Sequence, residues 1–596
     1  MTRVRLSLGA VAAILGPTIS AAFLGACGND RGGFVRREQT FVVDAGADAP
    51  SCLFQCSLDG RSVIDTCTGS VVETCRPELA CGAGLCQEPC AAAAADKSSN
   101  GCEFYLQAPP AAAALTAPSC YAAYIVNPST QPIEVSLELD GKEIDISKSI
   151  FRLNPGDASL TPHVGPIPPN ESVSLFLSDG DPTVPLPSWE ATFVPCPEGA
   201  VATTIVRGIL SGTARGSAFH LKTTVPAAVS TIYPFGGAKS FQPTATLVLP
   251  VASWAKQHIL VNGWGLGVGG PSAQILASED DTEVTILPTL AIVGGKDVAS
   301  SPARVPATYR LGKGQFLQLV QGQELTGSIV TSNKPTSTIG GNACANIPAN
   351  HYYGDIVAQQ IPAFEQWGSE YVGVGYRPRL GNEHEAVPYR IVAARDGTRL
   401  DYDPAVPPGA PTTMSAGELA TFYSGTGDAF VVRTQDVDHP IYLSAHMTGG
   451  AGTGEVGAGY AGRGDPEFVN VVPAGQYLNA YSFYADPTYS ETSLVVVRAK
   501  TRGEFKDVWL ECAGNLTGWK PIGTRGEYEF VRVDLSRNKG PGDTFGTSVC
   551  HYGLQRMRSE GPFTATIWGW DSYASYAYPG GMAQRKLVET PLDPIR

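Results

Sequence analysis

Charged residues, histidines and helix signals are all scarce in this chain of 596 residues. Only 16% of the residues are charged, and a formal net charge of -14 leaves no cationic surplus to displace the counterions of nucleic acid. The eight histidines are scattered and do not assemble into a recognisable metal-ligand set. The only stretch of helical composition is an alanine run at residues 91–95. These absences argue against nucleic-acid binding, and we expect no metal and no cofactor.

Long apolar runs are also missing after the N-terminus, which itself has the features of an export signal. Arg3 and Arg5 precede an apolar stretch that ends in small residues. The last four of these, Leu24-Gly25-Ala26-Cys27, resemble the bacterial lipobox, which implies cleavage before Cys27 and acylation of its thiol. The alternative is ordinary secretory cleavage that leaves Cys27 as a thiol.

We therefore predict a lipoprotein signal peptide over residues 1–27 and a polar tether over residues 28–50. The lipid would attach an exported protein to the bacterial cell envelope, at the outer membrane or cell surface.

Thirteen cysteines follow Cys27, and eight of them crowd into one short segment. An even number of cysteines at this density predicts a small module, residues 51–103, that is held together by disulfides because its core is too small. A zinc cluster is the weaker alternative, since the segment contains no CxxC pair and no histidine. The eight are Cys52, Cys56, Cys67, Cys75, Cys81, Cys86, Cys90 and Cys102.

The other five cysteines lie far apart in the chain. Cys120 with Cys196, and Cys512 with Cys550, are plausible disulfide pairs because each couple falls within one of the repeat units described below. Cys344 is then left over, and we predict that it is a free thiol.

From residue 104 onward the sequence predicts an all-β fold. Short runs rich in Val, Ile, Thr and Tyr alternate with Gly, Pro, Asn or Asp every eight to twelve residues, which is the spacing of sandwich strands. Three segments repeat in order: a strand, a proline, an aromatic residue and another strand. The prolines are Pro250, Pro362 and Pro473, and the aromatic residues are Trp254, Trp367 and Tyr477.

The repeats predict about four tandem β-sandwich-like units after the disulfide module. Their closing segments contain Pro226, Pro335, Pro440 and Pro562. Because the aromatic residues recur at one repeat position, we expect them to serve packing rather than ligand binding. The predicted bounds are 104–240, 241–348, 349–450 and 465–580 for the units, 451–464 for a glycine-rich loop and 581–596 for a tail.

Cys344, His351 and Asp355 have the side chains of a catalytic triad: a nucleophile, a base and an acid that orients the base. A reactive cysteine needs a base within reach and a helix terminus or a cation to lower its pKa. Cys344 instead follows a predicted strand in a glycine-rich turn, with no helix signal after it. We therefore assign no catalytic residue.

Other motifs also favour structural roles. The glycine pattern at residues 265–270 leads into a strand rather than a helix, so it does not predict a dinucleotide site. Arg463-Gly464-Asp465 is a three-residue match in a glycine-rich loop, which is common by chance. The acidic cluster at 279–281 and the Asn-Glu-His-Glu stretch at 382–385 match no calcium or zinc pattern.

The stretch from "SNKP" (332–335) through Cys344 and "QQIP" (359–362) to Trp367-Gly368 resembles the IgGFc-binding protein N-terminal domain family. The resemblance covers roughly residues 100 to 575 and implies an extracellular binding or adhesion domain with no assigned catalysis. Family members often have a second cysteine shortly after the first. Here that region contains none, so the resemblance implies that Cys344 is half of a disulfide whose partner is missing.

Taken together, the sequence predicts a lipid-anchored, exported surface binding or adhesion protein that is not an enzyme. Its partner would be an extracellular protein or glycan, recognised by loops and exposed aromatic residues on a β scaffold. An extracellular hydrolase acting on polysaccharide or peptide, and a structural envelope protein whose repeats self-associate, remain as alternatives.

Overall fold

The chain folds almost entirely into β-strands, which confirms the predicted all-β class. The computed structural model describes residues 53–57, 60–153, 159–188, 191–237, 242–351, 353–381, 383–451, 459–593 and 595. Cys27, Cys52, the predicted signal peptide and the predicted tether lie outside these residues. Within them, no helix is long and apolar enough to cross a membrane.

Three small strands, a hairpin and one helix make up the N-terminal module. Helix α1 (Pro89–Asp96) contains the alanine run and starts with a proline, whose fixed φ suits the first helical turn. Its strands are β1 (Phe54–Cys56), β2 (Ser62–Asp65), β3 (Val71–Thr74), β4 (Ala80–Gly82) and β5 (Leu85–Gln87).

Disulfides join most of the cysteines in the described residues. Cys67 is disulfide-bonded, while Cys344 is a free, buried thiol. Because the module buries few apolar side chains, its disulfides contribute much of its stability. The described pairs are Cys56–Cys81, Cys75–Cys86, Cys90–Cys102, Cys120–Cys196 and Cys512–Cys550.

Ten strands form the first large sheet, which covers most of predicted unit 1. They are β6 (Gly101–Leu106), β7 (Tyr121–Val126), β8 (Val135–Leu139), β9 (Lys142–Ile144), β10 (Ile150–Leu153), β11 (Leu160–Pro162), β12 (Ser172–Gly180), β13 (Thr204–Val206), β15 (Phe219–Tyr233) and β16 (Thr244–Val248).

The second large sheet has eight strands and covers most of predicted unit 2. They are β14 (Ala214–Ser217), β17 (Ala255–Ile259), β18 (Pro271–Ala277), β19 (Thr282–Leu287), β20 (Ala307–Leu311), β21 (Gln315–Val320), β22 (Ile329–Ala345) and β23 (Asp355–Ile361).

Predicted unit 3 is a sandwich of two four-stranded sheets. The rings of Tyr389, Tyr402, Phe422 and Phe430 pack together in its core. Its strands are β24 (Glu370–Gly373), β25 (Ala386–Ala393), β26 (Thr398–Asp403), β27 (Thr413–Met414), β28 (Leu419–Gly425), β29 (Phe430–Thr434), β30 (Ile441–Met447) and β31 (Glu467–Asn470).

The C-terminal strands form a nine-stranded sheet and a separate short hairpin, β39–β40. They are β32 (Leu478–Ala485), β33 (Glu491–Ala499), β34 (Val508–Leu510), β35 (Gly514–Asn515), β36 (Lys520–Ile522), β37 (Tyr528–Arg537), β38 (Gly540–Pro541), β39 (Thr544–Phe545), β40 (Ser548–Val549), β41 (Gly553–Asp571) and β42 (Ala574–Pro579).

The sheets do not stop at the predicted unit boundaries. Strand β14 precedes residue 240 but pairs with β21 of the second sheet, and β16 follows residue 240 but pairs with β15. Strand β31 likewise extends a sheet of unit 3 by pairing with β30. Neighbouring units therefore share strands, and the predicted tail also packs, with Val588 and Leu592 buried.

Four strands, one after each unit's closing strand, pack against one another in the middle of the fold. We call β16, β23, β31 and β42 the central strands; they contact each other in that order, and β42 also contacts β16. The Gln359 side-chain amide donates to the carbonyls of Ala245 and Ala577. The Thr246 hydroxyl accepts from the Gln360 amide. Polar side chains thus connect backbones that do not pair as a sheet.

The repeated prolines lie where three central strands end. A three-residue 3-10 helix follows each, at Val251–Ser253, Phe364–Gln366 and Ala474–Gln476. Gln366 Nε2 donates to the Ser253 carbonyl (2.7 Å), and Gln476 Nε2 donates to the Gln366 carbonyl (3.1 Å). Trp254, Trp367 and Tyr477 are buried here. We call this region the proline end of the central strands.

Candidate functional site

The opposite ends of the central strands meet at a cluster of turns. Residues 346–351 and 353–354 lead into β23, residues 448–451 and 459–466 lead into β31, and residues 571–573 lead into β42. Backbone hydrogen bonds join them: Gly449 N to the Ile347 carbonyl, Tyr573 N to the Gly462 carbonyl, and Gly464 N to the Asp571 carbonyl, each at 2.8 Å. We call these three turns the turn surface. Because the strands behind them are packed, the turns are presented by a rigid scaffold.

Two tyrosines contact each other on the turn surface. The rings of Tyr353 and Tyr573 lie 5.0 Å apart at 48°, and Tyr353 is 45% exposed. Both residues have positive φ, +63° and +50°, a region that L-residues with bulky side chains rarely adopt. Such backbone strain persists only where the surroundings enforce it, and it concentrates at ligand-binding sites.

A glycine in the long turn makes this arrangement possible. A Cβ at Gly462 would lie 2.6 Å from the Tyr573 ring, and φ there is +71°. Only glycine lets the turn approach the ring so closely. In the described part of the glycine-rich sequence before β31, glycine therefore allows the turn to pack closely against its neighbours.

The exposed side chains of the turn surface are unlike the rest of this acidic chain. Asn350, Tyr353, Arg463 and Ser572 are exposed, and no described residue of the three turns is an exposed aspartate or glutamate. Tyr, Ser, Gly, Asn and Arg are the residues that binding loops on β scaffolds favour, because they combine rigid contact area with adaptable hydrogen bonding.

A buried arginine fixes the long turn from below. The Arg379 guanidinium donates to Glu385 Oε1 and to the carbonyls of Thr448 and Arg463, all at 2.8 Å. It also lies 3.8 Å from the centroid of the Tyr460 ring. A buried guanidinium with these partners is satisfied, so it ties the 448–466 turn to the Asn-Glu-His-Glu region.

Three buried carboxyl groups lie just inside the turn surface. Asp355 makes no hydrogen bond through either carboxyl oxygen, and one oxygen each of Asp465 and Glu467 is also unpaired. Burial raises the pKa of all three well above the usual range. At Asp355 the neighbouring Asp465, Glu467 and Cys344 raise the pKa further. The three therefore favour the protonated, neutral form.

These carboxyl groups do not form a metal centre. Across the ranges that the structure describes, no group of three or more His, Cys, Asp or Glu side chains is placed to hold a metal ion. The chemistry available to them is proton uptake.

The structure does not assemble a catalytic triad from Cys344, His351 and Asp355. The Cys344 thiol, 1% exposed, donates to the Gly354 carbonyl at 3.3 Å, and no hydrogen bond joins it to His351. Burial, followed by the Asp465 charge, raises the pKa of Cys344 to about 12. Burial and the charge of Arg379 lower the pKa of His351. A neutral thiol without a base is not a nucleophile.

The remaining motifs also have structural roles. Asp465 of the Arg-Gly-Asp stretch is buried, so this motif is not presented as a whole. The 265–270 glycine loop leads into strand β18 and packs on the backbone of Cys344. Glu385 of the Asn-Glu-His-Glu stretch binds Arg379 rather than a metal.

Sequence reasoning missed the most informative residues of this site. Tyr353 and Tyr573 lie 220 positions apart and belong to no motif. The only sequence signal was a tyrosine beside a turn residue in each case, and Tyr353 directly follows another tyrosine. Arg379 likewise gave no signal, because its partners Thr448 and Arg463 lie 69 and 84 positions further along the chain.

Comparison with known proteins identifies the family. The model of a family described as IgGFc binding protein matches residues 244–569, from the first central strand almost to the end of β41. No curated protein matches the chain significantly. The match begins after unit 1 (104–240), which the resemblance over roughly residues 100 to 575 was expected to include. It nevertheless covers more than half of the sequence, and the chain therefore belongs to the IgGFc-binding protein family.

Proposed function

We propose that this protein is an exported, lipid-anchored binding or adhesion protein of the bacterial cell envelope, and that its turn surface recognises an extracellular partner. The supporting features are the charged and apolar N-terminus ending in Leu24-Gly25-Ala26-Cys27, the number of disulfides, and membership of a binding-domain family.

One observation supports the location of the binding surface above all others. Tyr353 and Tyr573 come from different repeats, contact each other at the surface and both have left-handed backbones. Packing alone does not need two strained, accessible tyrosines. An aromatic pair next to the exposed Arg463 has the composition of an interface hot spot.

An immunoglobulin Fc fragment is a suitable first probe, since the family description names it. We expect the full chain to bind immobilised Fc, and the double variant Tyr353→Ala/Tyr573→Ala to lose about tenfold or more in affinity. Tyr423→Ala, which removes an exposed tyrosine from strand β28, is the matched control and should bind normally. Equal losses in both variants would place the binding surface elsewhere.

The anchor needs a separate experiment. Cells expressing the full chain would be fed a labelled fatty acid, and we expect label on the wild-type protein but not on Cys27→Ser. Label on both proteins, or on neither, would contradict acylation at Cys27. Fractionation of the same cells would locate the protein in the envelope or the medium.

A further inference from the structure

A second surface, far from the turn surface in sequence, carries an unusual concentration of positive charge. The segment of residues 498–506, from the end of β33 into the connection to β34, contains Arg498, Lys500, Arg502 and Lys506 and one acidic residue, Glu504; Asp507 follows it. These nine residues have a net charge of +3 in a chain whose total is -14. Charge segregation of this kind attracts partners of opposite sign.

Glu529 and Glu504 are already paired with cations of this segment, and Asp507 accepts from Asn515 Nδ2 at 3.1 Å. Glu529 accepts from Arg498 at 2.6 Å, and Glu504 accepts from Lys506 at 3.0 Å. Lys500 and Arg502 are both exposed, and neither has an ion-pair partner in the part of the chain that the structure describes. Arg502 lies at the tip of the connection with φ of +48°. The tip therefore presents two cations that are available to a ligand.

Aromatic rings lie beside these cations. The Arg498 guanidinium lies 4.1 Å from the centroid of Trp519 and 5.1 Å from that of Phe505. The Lys500 ammonium lies 5.1 Å from the Phe505 ring. Both rings are partly exposed. Because Arg498 is held by Glu529 and by both rings, the surface is ordered before any ligand arrives.

We propose that this surface, which we call the basic hairpin (residues 498–506 with Trp519), binds an anionic polysaccharide. Lys500 and Arg502 would contact its carboxylate or sulfate groups, while the partly exposed rings of Phe505 and Trp519 would pack against the C–H groups of its sugar rings. A polysaccharide fits better than duplex DNA, because its sugar rings can pack on Phe505 and Trp519, whereas the bases of a duplex are stacked inside the helix. The basic hairpin would act independently of the turn surface.

The test uses the full chain and four immobilised polymers: heparin as a sulfated chain, alginate as a carboxylated chain, dextran as a neutral chain and duplex DNA. We expect heparin or alginate to bind, with affinity that falls as NaCl rises from about 50 to about 300 mM. Lys500→Glu/Arg502→Glu should weaken that binding by about tenfold or more. The stronger of the two polymers identifies the preferred anionic group.

A matched variant separates a specific surface from overall charge. Lys142→Glu/Lys256→Glu makes the same change in net charge at two exposed lysines of other strands and should reduce affinity by less than about threefold. Phe505→Ala should lower affinity while leaving the salt dependence unchanged, because it removes a ring contact and no charge. Thermal unfolding of each variant checks that the fold is retained.

Three results would overturn the proposal. The first is heparin and alginate binding no tighter than dextran. The second is DNA binding as tightly as both anionic polysaccharides, which would indicate a general polyanion surface. The third is equal losses in the two charge-reversal variants, since the basic hairpin would then have no special part in binding.

Discussion

The two ends of the central strands differ in how completely their polar groups are paired. At the proline end, Trp367 Nε1 donates to the Pro362 carbonyl and Gln366 donates to Ser253. At the turn surface, Asp355 is buried without a hydrogen bond and Tyr353 has a strained backbone. The proline end therefore repeats one packing arrangement and leaves only a neutral group, the Tyr477 hydroxyl, among its three aromatic residues unpaired, whereas the turn surface has diverged and leaves buried carboxyl oxygens unpaired. This is the division expected between a scaffold and the site it supports.

The largest effect should come from the proline end. We expect Trp367→Ala to destabilise the protein by about 3–5 kcal/mol, because it removes a fully buried ring packed on Tyr442 and leaves a cavity. Denaturant unfolding measures the change. Trp509→Ala, at a partly exposed tryptophan of β34, is the control and should cost clearly less. Equal costs would mean that the proline end is not the rigid part of the scaffold.

A second change tests how closely units 3 and 4 approach each other at this end. A Cβ at Gly368 would lie 2.4 Å from Pro473 Cβ, so Gly368→Ala should cost about 1–3 kcal/mol through overpacking. Gly322→Ala, where a Cβ would meet nothing within 4 Å, should stay within about 0.5 kcal/mol of wild type. Thermal unfolding distinguishes them, and a neutral Gly368→Ala would show that the two units move apart at little cost.

The sequence predicts the proline end well because its signals are local. A proline, a short helical turn and an aromatic residue recur within a few positions, so repetition alone shows Trp254, Trp367 and Tyr477 to be packing residues. The all-β class and the family resemblance were likewise carried by short patterns, and both are confirmed. The shared strands were not predicted, since nothing in the sequence of β14 specifies that it pairs with β21.

The turn surface could not be predicted because its residues meet only in the folded chain. Asp355 lies about 110 positions from Asp465, and each resembled a different motif: a catalytic triad and an integrin ligand. Burial, which decides the chemistry of both, depends on which strands pack in the centre. A left-handed tyrosine has no signal in a single sequence either.

The third prediction concerns a buried carboxyl group at the turn surface, whose substitution should stabilise the protein rather than destabilise it. Burial raises the pKa of Asp355 in the folded state, so protonation of this carboxyl group stabilises the fold. That stabilisation is complete below the pKa of the unfolded state and is lost as the pH rises toward the pKa of the folded state. Asp355→Asn, which cannot ionise, should therefore stabilise the protein at pH 7.5 by about 1–2 kcal/mol, with a smaller gain near pH 4.5. Unfolding free energies measured at several pH values test the trend.

The control for this pH effect is Asp593→Asn, at an exposed aspartate, which should leave stability unchanged at every pH. A destabilised Asp355→Asn at pH 7.5 would contradict the assignment. It would mean that Asp355 is charged and paired in the folded protein, and that the carboxyl groups beneath the turn surface are ionised rather than neutral.

The smallest effect on stability should come from the turn surface itself, and it is the most direct test of the difference between the turn surface and the proline end. In Tyr353→Gly, relief of a left-handed backbone, worth about 1 kcal/mol, offsets the loss of a ring contact worth about 0.5–1.5 kcal/mol. We therefore expect a net change within about 0.5 kcal/mol by denaturant unfolding. Tyr423→Gly, in an extended strand, gains no such relief and should be measurably less stable. If the two variants lose equal stability, the backbone of Tyr353 is no more strained than that of a strand residue. Only the exposure of Tyr353 would then support a binding site. If Tyr353→Gly folds normally and also loses the partner, the tyrosine is retained for recognition at no benefit to the fold.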